Sequence, residues 1–143
     1  MKYIPKESME YIDNSCLHHY IRHNLDCFKY SYKFTEQLKQ TCVLYCPKDI
    51  RHIHNPSENT QDYAIRLSPD LLFDIENPTQ NIILKALKES WDMQFFNRIQ
   101  RQLTLEQSTI REINKLKLKY GPPRELSKHE QNDRIFKQLM NNI

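Results

Sequence analysis

The chain has 143 residues, 38% of them hydrophobic and 27% charged, with a formal net charge of +3. The mean hydropathy of −0.80 and an apolar share below the about 45–50% usual in globular domains point to a small core and a chain that leans on partners. The single glycine, Gly121, excludes a dinucleotide fingerprint and a P-loop, which need several glycines so that backbone can approach phosphate. It also disfavours tight hairpins, which leaves an all-α fold.

Residues 1–46 read as a helical hairpin. Met9, Ile12, Cys16, Tyr20, His23 and Cys27 recur at spacings of three and four, one face of a helix over 6–27, and Leu17, Ile21, Leu25 and Phe28 add a second stripe. The alternation of Phe28, Tyr30, Tyr32 and Phe34 with Lys29, Ser31 and Lys33 is read as the hairpin connection. Phe34, Leu38, Cys42 and Cys46 then step by four, predicting a second helix over 35–46 that Pro47 ends.

Residues 47–77 hold Pro47, Pro56, Pro69 and six acids with little periodicity, and read as an extended linker with one short turn near Ser68. Asp70 and Asp74 are taken as solvated turn residues. From Pro78 to Tyr120 one long amphipathic helix is predicted. Its stripe runs through Leu84, Leu87, Trp91, Phe95, Ile99, Leu103, Ile110, Ile113, Leu116 and Tyr120, with a possible break near 104, where Thr104-Leu105-Glu106-Gln107 resembles a capping box. Gly121-Pro122-Pro123 stops it. A short C-terminal helix starts at Ser127, with Glu130 completing a capping box, and carries Ile135, Phe136, Leu139 and Met140. The hairpin is too small to cover the stripe through Trp91, Phe95, Ile99 and Leu103, so that stripe is assigned to a partner interface.

Charge is uneven. Residues 47–77 carry three more acids than bases, and 78–120 four more bases than acids. That excess is well short of the basic stripe that argues nucleic acid, so no nucleic-acid partner is expected. Lys115, Lys117 and Lys119 suit the end of a helix dipole and could meet phospholipid head groups. The longest apolar runs, such as Ile82-Ile83-Leu84, are far below the ~20 residues that span a bilayer. No nucleophile, base and orienter can be located together, so the chain is expected to be no enzyme and to need no cofactor.

All four cysteines lie between 16 and 46. Residue 31 is equidistant from Cys16 and Cys46, so in an antiparallel hairpin these two face each other. Cys27 and Cys42 are offset by roughly 10 Å along the axis at 1.5 Å per residue, beyond the about 4.4–6.8 Å between disulfide Cα atoms. Geometry therefore favours Cys16–Cys46 and leaves Cys27–Cys42 requiring a distorted loop. A zinc site can also be drawn from Cys42, Cys46, His52 and His54, although the C-x3-C-x5-H-x-H spacing matches no common finger. His18, His19 and His23 are read as exposed or interfacial.

The stretch Cys16-Leu17-His18-His19-Tyr20-Ile21-Arg22-His23-Asn24-Leu25-Asp26-Cys27, with its Cys-x-His-x-x-Ile-Arg segment and the outer span to Cys46, resembles the coiled-coil-helix-coiled-coil-helix (CHCH) proteins of the mitochondrial intermembrane space. The spacing here is C-x10-C then C-x3-C, where the family usually has C-x9-C, so a partner for Cys27 stays open. The resemblance covers about 40 residues. It implies a disulfide-stapled hairpin, oxidative trapping in the intermembrane space, and a non-catalytic accessory subunit of an inner-membrane respiratory complex such as complex I, with other subunits of that membrane-protein complex as partners. The alternative is a zinc- or nucleic-acid-binding regulatory module with reduced cysteines.

Overall fold

The computed structural model describes His19 and residues 32–141. Helices are the regular structure of the described residues, with no strand among them; one isolated parallel bridge joins Asp92 to Arg124. Six α-helices follow in order: α1 (Glu36–Tyr45), α2 (Glu58–Leu67), α3 (Gln80–Glu89), α4 (Met93–Gln102), α5 (Gln107–Tyr120) and α6 (Lys128–Asn141). Two 3-10 turns, Pro47–His52 and Pro69–Asp74, connect α1 to α2 and α2 to α3.

Helix α1 lies where the spacing predicts the second arm of the hairpin. The Thr35 hydroxyl accepts the Leu38 N–H, satisfying one of the orphan donors at a helix start. Leu38, Cys42 and Val43 form its buried face. Cys46 caps the far end in extended conformation, because Pro47 disfavours helical backbone in the residue before it. Of the predicted first arm, 6–27, His19 alone is described, and it is helical and exposed; the rest lies outside the described residues.

The reading of 47–77 as an extended linker is corrected. The segment contains α2 and both 3-10 turns, and it buries Ile50, Ile53, Ala64, Ile65, Leu71, Leu72 and Ile75. Its prolines start helical turns: Pro47 and Pro69 take first-turn positions, where a missing N–H leaves no bond unmade. Pro56 precedes the α2 cap Ser57, whose hydroxyl accepts the Thr60 N–H. Buried polar groups are matched as well. Gln61 donates to Pro56 O at 3.0 Å and accepts the Thr79 N–H at 3.1 Å, and buried Lys39 donates to Glu36 at 3.0 Å and to Asn55 O at 3.2 Å.

The single long helix is also corrected, since 78–120 is three helices. The break near 104 is present, but not through its own capping box: Glu106 caps α5 without a side-chain bond. Gln80 ties down the break instead, accepting from Glu106 N and Thr109 Oγ1 and donating to Thr104 O. A second break, at Ser90–Asp92, has no counterpart in the stripe. There Asp92 caps α4 by accepting the Phe95 N–H at 2.9 Å. Gly121 leaves α5 at φ 81°, ψ 179°, a region essentially restricted to glycine. The chain then doubles back along Trp91–Met93: Arg124 N–H donates to Trp91 O, Met93 N–H to Arg124 O, and Trp91 Nε1 to Gly121 O at 3.1 Å. At α6 the predicted box is present, with Ser127 N–H donating to Glu130 and Glu130 N–H to Ser127 Oγ.

One core unites these pieces, running from Phe34 through Ile50, Ile65, Leu72, Ile83, Leu87, Phe95 and Ile99 to Ile113.

Candidate functional site

Helix α6 is held to the core by a half-buried electrostatic cluster centred on buried Asp92. Arg134 Nη1 donates to both oxygens of Asp92 at 2.8 and 2.9 Å, and Nη2 donates to Asp70 at 3.2 Å and to Ser90 Oγ at 3.0 Å. Ser90 Oγ in turn donates to Asp92 at 2.7 Å. Burial alone would lower the Arg134 pKa, but Asp70 and Asp92 outweigh it and raise the value. Its guanidinium lies 5.4 Å from the centre of the Phe95 ring. Removing one member of such a set strands a charge, the costly way to break a buried ion pair.

Two adjoining cavities, of about 490 and 420 Å³, open on either side of this cluster and share Asp70, Arg98, Arg134 and Gln138. Together they are lined by the cations Lys48, Arg51, Arg98, Arg101, Arg134 and Lys137 against the carboxylates Asp70 and Asp74. Desolvation in the cleft raises the Asp74 pKa, with Arg51 and Arg98 pulling the other way. The Arg98 guanidinium stacks over Phe73 at 3.9 Å from the ring centre.

The same helix presents an apolar face outward. Ile135, Phe136, Leu139 and Met140 are 51%, 62%, 60% and 53% exposed. They sit at i, i+1, i+4 and i+5, a stripe two residues wide.

The residues singled out from sequence distribute differently. Phe95 and Ile99 are buried, at 2% and 0% exposure, in the chain's own core, with Trp91 and Leu103 half-buried against it. Their assignment to a partner interface is thus corrected: they belong to the chain's own core, where Phe73, from the segment 47–77, packs its ring against Phe95 at 5.4 Å between centres. Cys46 is a free thiol and Cys42 is buried, and no disulfide joins described residues. Cys16 and Cys27 lie outside the described residues, so the pairings drawn to them do too, and the staple gains no support. Cys42, Cys46, His52 and His54 do not converge, and no group of three or more metal-ligating side chains forms among the described residues. Cys42 points into the core, His54 Nδ1 pairs with Glu76 at 3.1 Å, and His52 Nε2 accepts from Arg51. Lys115 pairs with Glu112 at 2.6 Å, Lys117 covers the Phe96 ring and Lys119 the Tyr120 ring. Among the described residues no helix is long and apolar enough to cross a membrane.

Sequence reasoning missed Arg134, Asp92, Ser90 and Arg98, and took Asp70 for a solvated turn residue. The local signal was Ser90-Trp91-Asp92, a helix-start signature hidden inside an unbroken apolar stripe. Comparison with protein-family models, curated proteins and solved structures gave no match to this chain.

Proposed function

We infer that the chain is a non-catalytic protein-interaction module, a compact helical body that presents α6 to an apolar helix of a partner protein. The observation that carries this reading is the outward stripe of Ile135, Phe136, Leu139 and Met140 on a helix fixed in place by Arg134. A contiguous exposed apolar patch on a folded domain marks an interaction site, and a stripe with this spacing suits packing along another helix. The cluster beneath it is built for positioning rather than for chemistry. Both Asp92 oxygens are engaged by Arg134, and one also accepts the Phe95 N–H, so the carboxylate is committed to capping α4 and holding α6.

In its sharper form the proposal makes the chain an accessory subunit of a mitochondrial inner-membrane respiratory complex, on the intermembrane-space side. That form rests on the CHCH resemblance of residues 16–46.

Native purification of the full chain and of the double variant Ile135→Asp/Leu139→Asp tests the reading. Both positions are exposed, so the melt should stay within about 0.5 kcal/mol of wild type. The expected result is one stoichiometric partner that co-purifies with wild type and is lost from the variant. An unchanged set of co-purifying proteins overturns the reading. So does hydrogen exchange showing that α6 becomes exposed only when residues 1–31 are removed. Co-migration of the chain with a respiratory complex on native gels tests the sharper form.

A further inference from the structure

The cleft beside α6 holds more cationic charge than its own carboxylates balance. Its cations exceed its acids by four, against +3 for the whole chain. Arg134 is consumed by Asp92 and Asp70, but others are not. Among the described residues, Lys48, Arg98, Arg101 and Lys137 have no carboxylate within ion-pair distance. For Lys137 and Arg101, on an open surface, this is ordinary, and Lys48 is half-buried with no aromatic face against it among the described residues. Arg98 is different, because it is half-buried, stacked on Phe73, and lines both cavities at once. A guanidinium held rigidly by an aromatic face keeps its planar fork of N–H donors pre-organised for an oxyanion.

We propose that the double cleft around Arg98 binds a compound carrying two or more linked phosphates and no nucleobase, with Arg98 bridging the phosphates and Lys48, Arg51, Arg101 and Lys137 at the rim. The two volumes are in the range of small-molecule sites. Phosphate suits the arrangement because Arg forks bind it through two parallel hydrogen bonds. A base has no stacking platform here: the Phe73 ring is covered by Arg98 and Phe95 is buried. The site adjoins the outward stripe of α6, sharing only Ile135 with it, and does not depend on a protein partner there.

The test is calorimetric titration of the full chain with tripolyphosphate, pyrophosphate and sulfate at matched ionic strength. Saturable binding is expected, with tripolyphosphate tighter than pyrophosphate and sulfate weakest. Arg98→Met should weaken tripolyphosphate by at least tenfold, and Arg98→Lys, which keeps the charge but not the fork, by an intermediate factor. Should Arg98→Met lose its melt by uncovering Phe73, the double variant Lys48→Gln/Lys137→Gln replaces it and should weaken binding by a similar order. Because Arg134 lines both cavities, tripolyphosphate should also raise the melting temperature of wild type by mass action. Sulfate binding as well as tripolyphosphate, a folded Arg98→Met chain binding as wild type does, or a polyglutamate peptide binding as tightly as tripolyphosphate would each overturn the proposal. The last result would make the cleft a site for acidic peptide.

Discussion

Arg134 and Asp92 are 42 residues apart in sequence, and one guanidinium nitrogen reaches both oxygens of the carboxylate, at 2.8 and 2.9 Å. Asp92 is also the cap of α4. A single side chain therefore starts one helix and anchors another, so the position of α6 is tied to the break between α3 and α4. Arg134→Met should destabilise the chain by about 3 kcal/mol, since Asp92 would stay buried without its partner. Arg134→Met with Asp92→Asn should be less damaging than the sum of the single changes. Denaturant melts of the four chains read this directly, and strict additivity would show that the pair is not coupled.

The corrected assignment of the apolar stripe has its own consequence. Phe95 and Ile99 face the chain's own core, so truncating them should damage the isolated chain whether or not a partner is present. Phe95→Ala is expected to lose about 3–5 kcal/mol and Ile99→Ala about 2–5 kcal/mol. Circular dichroism melts of the purified variants check this. Wild-type stability in both would return the stripe to a partner.

At Gly121 an added methyl group meets nothing within 4 Å, yet the backbone sits at φ 81°, ψ 179°. Gly121→Ala should therefore destabilise by about 1–3 kcal/mol through strain alone. The accompanying sign is a change in Trp91 fluorescence, because Trp91 Nε1 donates to Gly121 O. A neutral substitution would mean that the turn relaxes without consequence.

Glu36 links α1 to the start of α2, accepting from Ser57 N–H, Thr60 Oγ1 and Lys39 Nζ. Desolvation pushes its pKa up, but the bonds from Ser57 and Lys39 outweigh that and bring it below the ordinary 4.5. The unfolded chain then takes the proton first. Its contribution to stability is present above about pH 4.5 and is lost as pH falls through the folded value. Acid titration of stability should show this loss in wild type and a smaller one in Glu36→Gln. Identical slopes below pH 4.5 would remove Glu36 from the acid response.

Cys46 carries a free thiol and is half-buried, whereas Cys42 is fully buried. A thiol reagent applied to the folded chain without reductant should modify Cys46 and spare Cys42, as read by peptide mass. Modification of Cys46 only after reduction would restore the stapled hairpin that the CHCH resemblance implies.

Local signals were legible in the chain. The spacing of Leu38 and Cys42 located α1, Pro47 ended it, and Ser127 with Glu130 marked the start of α6. The lapse of apolar residues at Glu106 placed the break before α5. Each rests on periodicity or capping within a few residues, which the backbone reads independently of the rest of the fold. Capping can also mislead: the box at Thr104 marked a real break, but the bonds that hold it come from Gln80, 24 to 29 residues away.

By itself the sequence determined that this protein is all-α, with helix ends set by Pro47, Gly121 and Ser127, because those choices depend on nearest neighbours. Tertiary structure alone decided what covers Phe95 and Ile99, and what neutralises Arg134. An apolar stripe states that it must be buried but not against what. Phe73, in a proline-rich stretch that reads as linker, supplies part of that cover, its ring centre 5.4 Å from that of Phe95, and the spacing of the two along the chain carries no period.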